Sequence, residues 1–238
     1  MKILVTNDDG DSEGLRRLLL VAKKFGSAYA IAPNRQRSAV SGAVTLHKPI
    51  RLHKIERDIY TINGTPSDCV LFAIHSGEVE KPDLVLSGIN WGYNLGIGSI
   101  LGSGTVAACW QACLEGISSI AFSQVKGDGN WHEKEVWGDR NTIVKAVEDV
   151  TKELLPKLRS NKFFNVNLPP KLPAKKLYTK TLETERYQTI VEKRNDPYGK
   201  SYYWIHGEER KTKKGTDSYE VIVNGRITIS EISLDCFV

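Results

Sequence analysis

Two adjacent carboxylates, Asp8 and Asp9, are the residues of this sequence best suited to do chemistry. They follow the apolar run Ile3-Leu4-Val5 and precede Gly10, which lets the backbone turn sharply. Two carboxylates about 4 Å apart repel each other by about 4 kcal/mol at an effective dielectric constant of 20. The pair therefore needs a positive partner or a proton. A hard divalent cation such as Mg²⁺ or Mn²⁺ meets this need, and a solvated turn or a helix cap is the alternative.

The residues around this pair predict a parallel sheet with helices packed on it. The run Ile3-Leu4-Val5 is typical of a strand that is covered on both faces. Segment 13–25 has apolar residues at helical spacing, and Ser12 is placed to cap it. A second strand is predicted over 28–32, stopped by Pro33. This β-α-β order predicts an α/β fold whose ligands bind at the carboxyl ends of parallel strands.

Two loops are predicted to lie at the same edge as the carboxylates. Loop 34–42 follows the second strand and carries Arg37, which can meet an anion, and Ser38, whose hydroxyl can meet a metal or a phosphate. The strand 83–87 runs into a segment rich in glycine and asparagine, where Asn90 can place an amide oxygen on a cation. For the basic loop taken alone, a solvated surface loop is the alternative.

A helix N-terminus completes the predicted site. Ser103-Gly104-Thr105 leads into the apolar helix 107–114. The first N–H groups of a helix have no partner inside it, and the helix dipole makes this end positive. The segment is therefore predicted to cradle a phosphate. An oxygen-ligated cation next to such a cradle predicts a phosphate-ester hydrolase.

Further elements are predicted from periodicity along the chain. Short strands of a β-excursion are predicted at 44–46, 50–52 and 59–62, and buried strands at 119–123 and 163–168, the latter as the last strand of the main sheet. Helices are predicted after the cap Thr65 and over 141–158. The alternating segment 219–229, centred on Asn224-Gly225, predicts a β-hairpin. Such a hairpin must pack on the core or reach a neighbouring subunit as an exchanged arm.

The composition of the 238 residues is that of an ordinary folded protein. Hydrophobic residues make up 40% and charged residues 26%, which excludes a disordered chain. The net charge of +5 suits anionic substrates but is far below that of a nucleic-acid-binding tail. The four cysteines lack CxxC spacing and are predicted to be buried thiols. With no leader before the first strand and no long apolar run, the chain is predicted to be cytoplasmic.

Several motifs occur in a fixed order along nearly the whole chain. They are Ile3 to Gly10, Ala32-Pro33 with Arg37-Ser38, Gly64 to Cys69, Ser87 to Gly96, Ser103 to Val106, Asn165 to Pro169 and Gly225 to Ile229. Through these motifs the chain resembles the SurE family of stationary-phase survival nucleotidases. The resemblance implies a Rossmann-like, three-layer α/β fold with a mostly parallel sheet and a C-terminal β-hairpin arm. It also implies a single domain over 1–238, with a core of about 1–172 and a swapping arm within about 173–238.

The resemblance further implies a phosphatase of nucleoside 5′- and 3′-monophosphates that depends on one divalent cation per subunit, Mg²⁺ or Mn²⁺. Its metal ligands, carried over by position, fall on Asp8, Asp9, Ser38 and Asn90, and the first two are the expected catalytic residues. Its phosphate-binding residues fall on Ser103, Gly104 and Thr105, with Asn94 nearby, and Arg37 is added as an anion contact. The arm implies a homodimer or homotetramer, with no membrane and no stable nucleic-acid partner.

One position departs from the family pattern. Members often carry Tyr or His immediately before Ser-Gly-Thr, and this chain has Gly102 there. The general acid is therefore left unassigned, and two mechanisms stay open: attack by Asp8 on phosphorus, or a water that Asp8 directs. Trp91 and Tyr93 are predicted as a stacking face for a base or, alternatively, as a lid or an interface.

Other function classes fit the sequence less well. Segment 96–102 imitates the glycine fingerprint of dinucleotide enzymes, but that fingerprint belongs in the first strand-to-helix turn. A kinase or ATPase would need a lysine after the glycines, and the segment has none. Segments 193–194 and 211–214 are basic, but acids interleave them, which favours a solvated face over nucleic-acid binding. His132 lacks metalloprotease spacing and is not predicted as a ligand.

Overall fold

The computed structural model describes residues 1–124, 137–184 and 187–237, so the predicted loop around His132 lies outside the described residues. The helices and strands are, in chain order, β1 (Lys2–Thr6), α1 (Glu13–Ala22), β2 (Ser27–Pro33), β3 (Leu52–Glu56), β4 (Ile59–Ile62), α2 (Pro66–His75), β5 (Leu84–Trp91), α3 (Gly96–Gly102), α4 (Gly104–Leu114), β6 (Ser118–Gln124), α5 (Arg140–Leu154), β7 (Lys162–Leu168), β8 (Lys176–Thr179), β9 (Tyr187–Asn195), β10 (Ser201–Glu209), α6 (Asp217–Ile222) and β11 (Ile227–Ser233).

A nine-stranded, mostly parallel sheet forms the centre of the fold. Its strand order is β3-β4-β2-β1-β5-β6-β7-β11-β8. The strands from β4 to β7 pair in parallel, whereas β3 and β11 each run antiparallel to one neighbour. Strand β1 lies between β2 and β5, so the carboxyl ends of these three strands are neighbours. The predicted α/β fold with a mostly parallel sheet is confirmed.

Helices cover both faces of the sheet, as the apolar run in β1 predicts. Ile3 and Val5 point to one face and pack into a cluster with residues of α1 and α5. Leu4 points to the other face and packs with residues of α2 and α4. All three side chains are 0% exposed. Successive residues of a strand point to opposite faces, so β1 is buried on both sides of a three-layer structure.

Several predicted boundaries are corrected by the structure. Helix α1 ends at Ala22, three residues before the predicted end, and the last predicted helix turn, 155–157, is a 3₁₀ turn after α5. Residues 44–46 are not a strand, and only Leu52 of the predicted strand 50–52 enters β3. Strand β5 continues to Trp91, through glycine-rich residues that were predicted as a loop. Strand β7 is not the last in the sheet, because β11 and β8 extend it.

The hairpin predicted around Asn224-Gly225 is wrong in position. Residues 217–222 form α6, and the chain then turns at Gly225 into β11. The Thr216 hydroxyl caps α6 by accepting the backbone N–H of Tyr219 at 3.3 Å. Val221 is 0% exposed and packs against Leu95. A helix cap and burial at helical spacing therefore override the alternating pattern.

The C-terminal β-hairpin arm is present, but it consists of β9 and β10. These strands form a separate two-stranded antiparallel sheet, with Tyr187 opposite Glu209 at its base and Asn195 opposite Ser201 near its turn. Every residue of β10 is exposed. The arm therefore has little contact with the rest of the fold beyond its base.

Three of the four cysteines, Cys69, Cys109 and Cys113, are free and buried, as predicted. Burial raises the pKa of all three thiols, that of Cys113 to about 11, so they are protonated at neutral pH. Within the part of the chain that the structure describes, no single helix is long and apolar enough to cross a membrane. Helices α3 and α4 are long and apolar enough only when they are taken together, and their axes are bent by 71° relative to each other.

Asp68 holds the loop before β3 against helix α2. Its carboxylate accepts hydrogen bonds from the backbone N–H of Thr65 at 2.8 Å, from the backbone N–H of Thr45 at 2.9 Å and from the Thr45 hydroxyl at 2.6 Å. The Thr65 hydroxyl accepts the N–H of Asp68, which completes a capping box. Segment 44–46 is thus tied to a helix N-terminus instead of joining the sheet.

Replacing Asp68 by Ala is expected to lower the free energy of unfolding by about 3 kcal/mol, because three donors lose a buried charged acceptor. Urea denaturation followed by circular dichroism measures the loss. Asp149→Ala on the surface of α5 is the control, because its partner Lys145 forms only an exposed ion pair with it. Equal destabilisation by the two substitutions would contradict this role of Asp68.

Candidate functional site

A cavity of about 610 Å³ lies at the carboxyl ends of β1, β2 and β5. Its lining comes from four parts of the chain: the turn after β1, the loop after β2, the segment from the end of β5 to Ser103, and the start of the arm. The lining residues are Asp8, Asp9, Gln36, Ser38, Ala39, Asn90, Trp91, Tyr93, Asn94, Gly98, Ser99, Gly102, Ser103, Thr184, Tyr187 and Thr189. The structure therefore brings together the predicted metal ligands Asp8, Asp9, Ser38 and Asn90.

Asp8 is the buried carboxylate of the site. It is 5% exposed, and its Oδ1 accepts a short hydrogen bond from the Thr105 hydroxyl. Burial raises the pKa of the Asp8 carboxyl above its usual value. Hydrogen bonds from the Thr105 hydroxyl and from the backbone N–H groups of Thr105 and Gly104 oppose this rise. The N-terminus of α4 thus faces Asp8 and stabilises its ionised form.

Gly104 allows this close approach between helix and carboxylate. A Cβ at position 104 would lie 2.8 Å from the Cβ of Asp8 and 3.1 Å from its Oδ2. Such distances are too short for nonbonded carbon and oxygen atoms, so any side chain would push Asp8 away from the helix. The small residue between Ser103 and Thr105 is therefore required by the position of Asp8.

The second carboxylate, Asp9, is half-buried and accepts hydrogen bonds from two sides. The Gln36 side-chain amide donates to its Oδ1, and the backbone N–H of Trp91 donates to its Oδ2, both at 3.3 Å. Asn7 shapes the turn that presents both carboxylates: its Oδ1 accepts the N–H of Gly10 at 3.1 Å, and its amide nitrogen donates to the Ser12 hydroxyl at 2.9 Å. An asparagine side chain that bonds to the backbone in this way stabilises a turn.

The loop after β2 is held in a strained conformation above the cavity. Ala39 and Ser41 have φ angles of 56° and 53°, in the left-handed region. Such residues cost about 1–3 kcal/mol each and persist only where the surroundings fix them. Here the Ser41 hydroxyl donates to the carbonyl of Leu101 at 2.7 Å, and its N–H donates to the carbonyl of Gly102 at 3.0 Å. These contacts fix Ser38 at the cavity.

The end of β5 is irregular, and the irregularity brings Asn90 to the cavity. The register between β5 and β6 shifts between Ser87 and Asn90. Gly88, with a φ of 127°, lies within this shift, and a Cβ there would be 2.2 Å from the carbonyl oxygen of Phe122. The amide nitrogen of Asn90 donates to the carbonyl of Gly92 at 2.9 Å. Its amide oxygen is therefore the atom suited to ligate a cation.

Asn94 is fixed by a buried network of side-chain amides. Its backbone N–H donates to Asn167 Oδ1 at 2.8 Å, and its carbonyl accepts from the amide nitrogens of Asn165 at 2.8 Å and Asn167 at 3.1 Å. Its own amide nitrogen donates to the Ser123 hydroxyl at 2.8 Å. Asn94 is 6% exposed and lines the cavity. Strands β6 and β7 thus position it.

The donor set fits a hard divalent cation. Two carboxylates, the Ser38 hydroxyl and the Asn90 amide oxygen offer only oxygen ligands, which Mg²⁺ and Mn²⁺ prefer over nitrogen and sulfur. Over residues 1–124, 137–184 and 187–237, no group of three or more His, Cys, Asp or Glu residues is placed to hold a metal ion, and the site described here has only two carboxylates. The burial of Asp8 next to a second carboxylate means that the pair needs either a positive partner or a proton.

Three of the predicted phosphate contacts are not among the residues that line the cavity: Gly104, whose close approach to Asp8 is described above, and Thr105 and Arg37. Thr105 is 0% exposed and directs its hydroxyl to Asp8. Arg37 lies between the lining residues Gln36 and Ser38, but its guanidinium donates to the carbonyl of Gly64 at 3.2 Å. Its backbone N–H donates to the carbonyl of Asp8 at 2.7 Å. Both residues therefore contact the turn or helix that carries the site, and their role toward phosphate stays a prediction.

Sequence reasoning missed Thr184 and the contribution of the arm to the cavity. Thr184, Tyr187 and Thr189 line the cavity, although they lie about 180 residues after Asp8. No local motif indicates such a contact. Asn7 was also missed, although an asparagine directly before Asp-Asp-Gly is a known turn signal.

Known proteins match this chain over a range that includes all residues lining the cavity. The family model described as Survival protein SurE matches residues 3–189. A protein named 5′-nucleotidase SurE from Geotalea uraniireducens is 41% identical over 243 residues, covering 99% of this chain and 94% of that protein. One of the same name from Thermofilum pendens is 36% identical over 242 residues, covering 98% and 91%.

A solved structure agrees with the sequence matches. The crystal structure of the SurE protein from Aquifex aeolicus superposes with a TM-score of 0.81 at 35% identity, covering 99% of this chain and 94% of that one. The resemblance seen in the sequence motifs is thereby confirmed. Since model, relatives and structure all match over most or nearly all of its length, this chain belongs to the SurE family.

Proposed function

We propose that this protein hydrolyses nucleoside 5′- and 3′-monophosphates to nucleoside and phosphate, using one divalent cation per subunit, Mg²⁺ or Mn²⁺. The observation that carries the proposal is the single cavity in which Asp8, Asp9, Ser38 and Asn90 meet beside the N-terminus of α4. The relatives named 5′-nucleotidase support the reaction class. The general character of the site, oxygen ligands next to N–H donors, suits a phosphate ester.

In this proposal, some residues bind the phosphate group and Asp8 takes part in the reaction. Asn94 and Ser103 line the cavity near the positive end of α4, and with Gly104 they are the proposed phosphate contacts. Thr105 acts through Asp8, which it holds in one orientation. Asp8 then acts from a fixed position, either on phosphorus or on a water. A divalent cation held by Asp8, Asp9, Ser38 and Asn90 would supply positive charge next to the phosphoryl oxygen.

Gly102 leaves room for the unassigned proton donor. A Cβ at this position would meet no atom within 4 Å, and the residue lines the cavity. We propose that a water molecule next to Gly102 donates the proton to the leaving oxygen. It would replace the Tyr or His that family members often carry at this position.

We also propose that the arm joins subunits into a homodimer or homotetramer, in a cytoplasmic protein. One face of the arm carries a cross-strand pair, Val191 opposite Ile205, with side chains 59% and 75% exposed. Tyr203 lies on the same face and is 59% exposed. An isolated hairpin is marginally stable in water. A partner that covers this apolar face supports the arm.

Asp9→Asn is expected to lower kcat/KM for a nucleoside 5′-monophosphate by at least about 100-fold, because it removes one of the two charges that hold the cation. Phosphate release with Mg²⁺, with Mn²⁺ and after exhaustive chelation measures the effect. Asp11→Asn is the matched control, because Asp11 lies in the same turn but pairs with Arg16 outside the cavity. Undiminished turnover after chelation would refute the cation dependence.

Gly104→Ala is expected to lower kcat/KM by about tenfold or more, since its methyl group displaces Asp8 from its position. Gly42→Ala is the control: a Cβ there meets no atom within 4 Å. Steady-state kinetics on both purified variants, with thermal melts to show that they are folded, make the comparison. If a folded Gly104→Ala protein has wild-type kinetics, the close approach of position 104 to Asp8 is not required for activity.

Replacing both Val191 and Ile205 by Glu is expected to convert the oligomer to monomers, because charges cannot be buried unpaired at an interface. Light scattering at micromolar concentration measures the mass. Leu46→Glu is the control, because Leu46 is an apolar residue that is 78% exposed and belongs to the loop before β3. A monomeric wild-type protein would rule out arm-mediated assembly.

A further inference from the structure

The cavity has an aromatic side in addition to its polar groups. Trp91, Tyr93 and Tyr187 all line it, and these three residues are here called the aromatic wall. Trp91 is the last residue of β5 and Tyr93 lies just after it, whereas Tyr187 is the first residue of the arm. A phosphate group and a cation with oxygen ligands are bound by polar groups, so the aromatic rings of the wall indicate a second, apolar part of the ligand.

Tyr187 is held in one orientation from several directions. Its hydroxyl forms a short hydrogen bond with the Tyr93 hydroxyl and lies 3.4 Å from Glu209 Oε1. The Tyr93 hydroxyl also donates to Glu209, which lies directly opposite Tyr187 in the arm. Two phenols and a carboxylate thus tie the base of the arm to the segment after β5.

The ring of Tyr187 also lies against a residue without a side chain. A Cβ at Gly207 would lie 3.2 Å from Cβ, 3.3 Å from Cδ1 and 3.4 Å from Cγ of Tyr187. The backbone of β10 therefore supports the ring closely on the side of Gly207. Thr189, two residues further along β9, points to the same face and lines the cavity as well. The base of the arm is a prearranged part of the cavity wall.

The Trp91 ring is supported from behind in a similar way. Its centroid lies 4.7 Å from that of Trp137, at an interplanar angle of 49°. The guanidinium of Arg17 lies 5.2 Å from the centroid of the Trp137 ring, in cation–π contact. Arg17 is itself 6% exposed and bonded to Glu13 at 2.9 Å. The aromatic wall thus has ordered support at both ends.

We propose that Tyr187 is a specificity-determining residue: the nucleobase of the substrate stacks on its ring within the aromatic wall. The base of the arm then makes the enzyme prefer nucleotides over phosphate esters that lack a base. This inference rests on the proposed phosphatase function and adds the part of the site that selects the substrate. Stacking on an aromatic ring accepts every base, since each has a π face. We therefore expect little discrimination between purines and pyrimidines at this wall.

The test compares two substrates that differ only in the base, AMP and ribose 5-phosphate. Tyr187→Ala is expected to lower kcat/KM for AMP by about tenfold, mainly through KM, the range typical of one lost stacking contact. Its kcat/KM for ribose 5-phosphate is expected to stay within about twofold of the wild-type value, since the residues around the phosphate are unchanged. Tyr187→Phe keeps the ring and is expected to keep the preference for AMP.

Tyr198→Ala is the control on the arm, because Tyr198 lies in the turn and is 90% exposed. An equal loss for both substrates in a folded Tyr187→Ala protein would overturn the proposal. If Tyr187→Phe lowers kcat/KM for AMP as much as Tyr187→Ala does, the proposal is also overturned. The hydrogen bonds of the hydroxyl, and not stacking on the ring, would then explain the effect. If the wild-type protein hydrolyses neither substrate, the phosphatase function fails. Calorimetric titration with AMP then decides: weaker binding to Tyr187→Ala supports the stacking wall, and equal binding refutes it.

Discussion

The burial of Asp8 beside a second carboxylate is the interaction on which the site depends. An ionised carboxylate loses most of its hydration when it is 5% exposed, and a like charge on the next residue adds repulsion. The structure opposes this cost with the hydroxyl of Thr105 and the first N–H groups of α4. The missing side chain at Gly104 lets these donors come close enough. The two carboxylates still need a positive partner or a proton. The oxygen atoms of Ser38 and Asn90 complete the set of ligands that we propose for a cation.

The order of the strands explains how these donors meet. Strand β1 pairs with β2 on one side and β5 on the other, so the segments that follow the three strands leave the sheet at one edge. Asp8, Ser38 and Asn90 each follow or end one of these strands. Helix α4 packs against β5 and β6 from one face, and its N-terminus therefore reaches the same edge. Residues that are far apart in the sequence are thus neighbours because they lie at the same edge of the sheet.

Much of the fold and the central polar groups could be predicted from the sequence. Buried apolar runs predicted the parallel strands, and the polar residues directly after them marked the edge, so Asp8, Asp9, Ser38 and Asn90 were expected at one place, where the structure has them. Their role as metal ligands stays a prediction. The hairpin at Asn224-Gly225 failed because alternation along a strand and the spacing of a short helix are hard to distinguish over six residues. The helix α6 is stabilised instead by the burial of Val221 and by the cap that Thr216 provides. The wall residue Tyr187 had no signal, because only tertiary structure brings it to the cavity.

The arm connects the two functions proposed for the C-terminal residues. Residues 187, 189 and 191 of β9 point to one face, because side chains alternate along a strand. The first two line the cavity, and the third continues the face outward with Ile205 opposite it. A subunit that covers the apolar outer half therefore also borders the wall on which Tyr187 lies. Assembly through this face would restrict the motion of the arm base, and a fixed base keeps the Tyr187 ring in place at the cavity. The proposed oligomerisation and the proposed substrate preference thus both depend on one strand face.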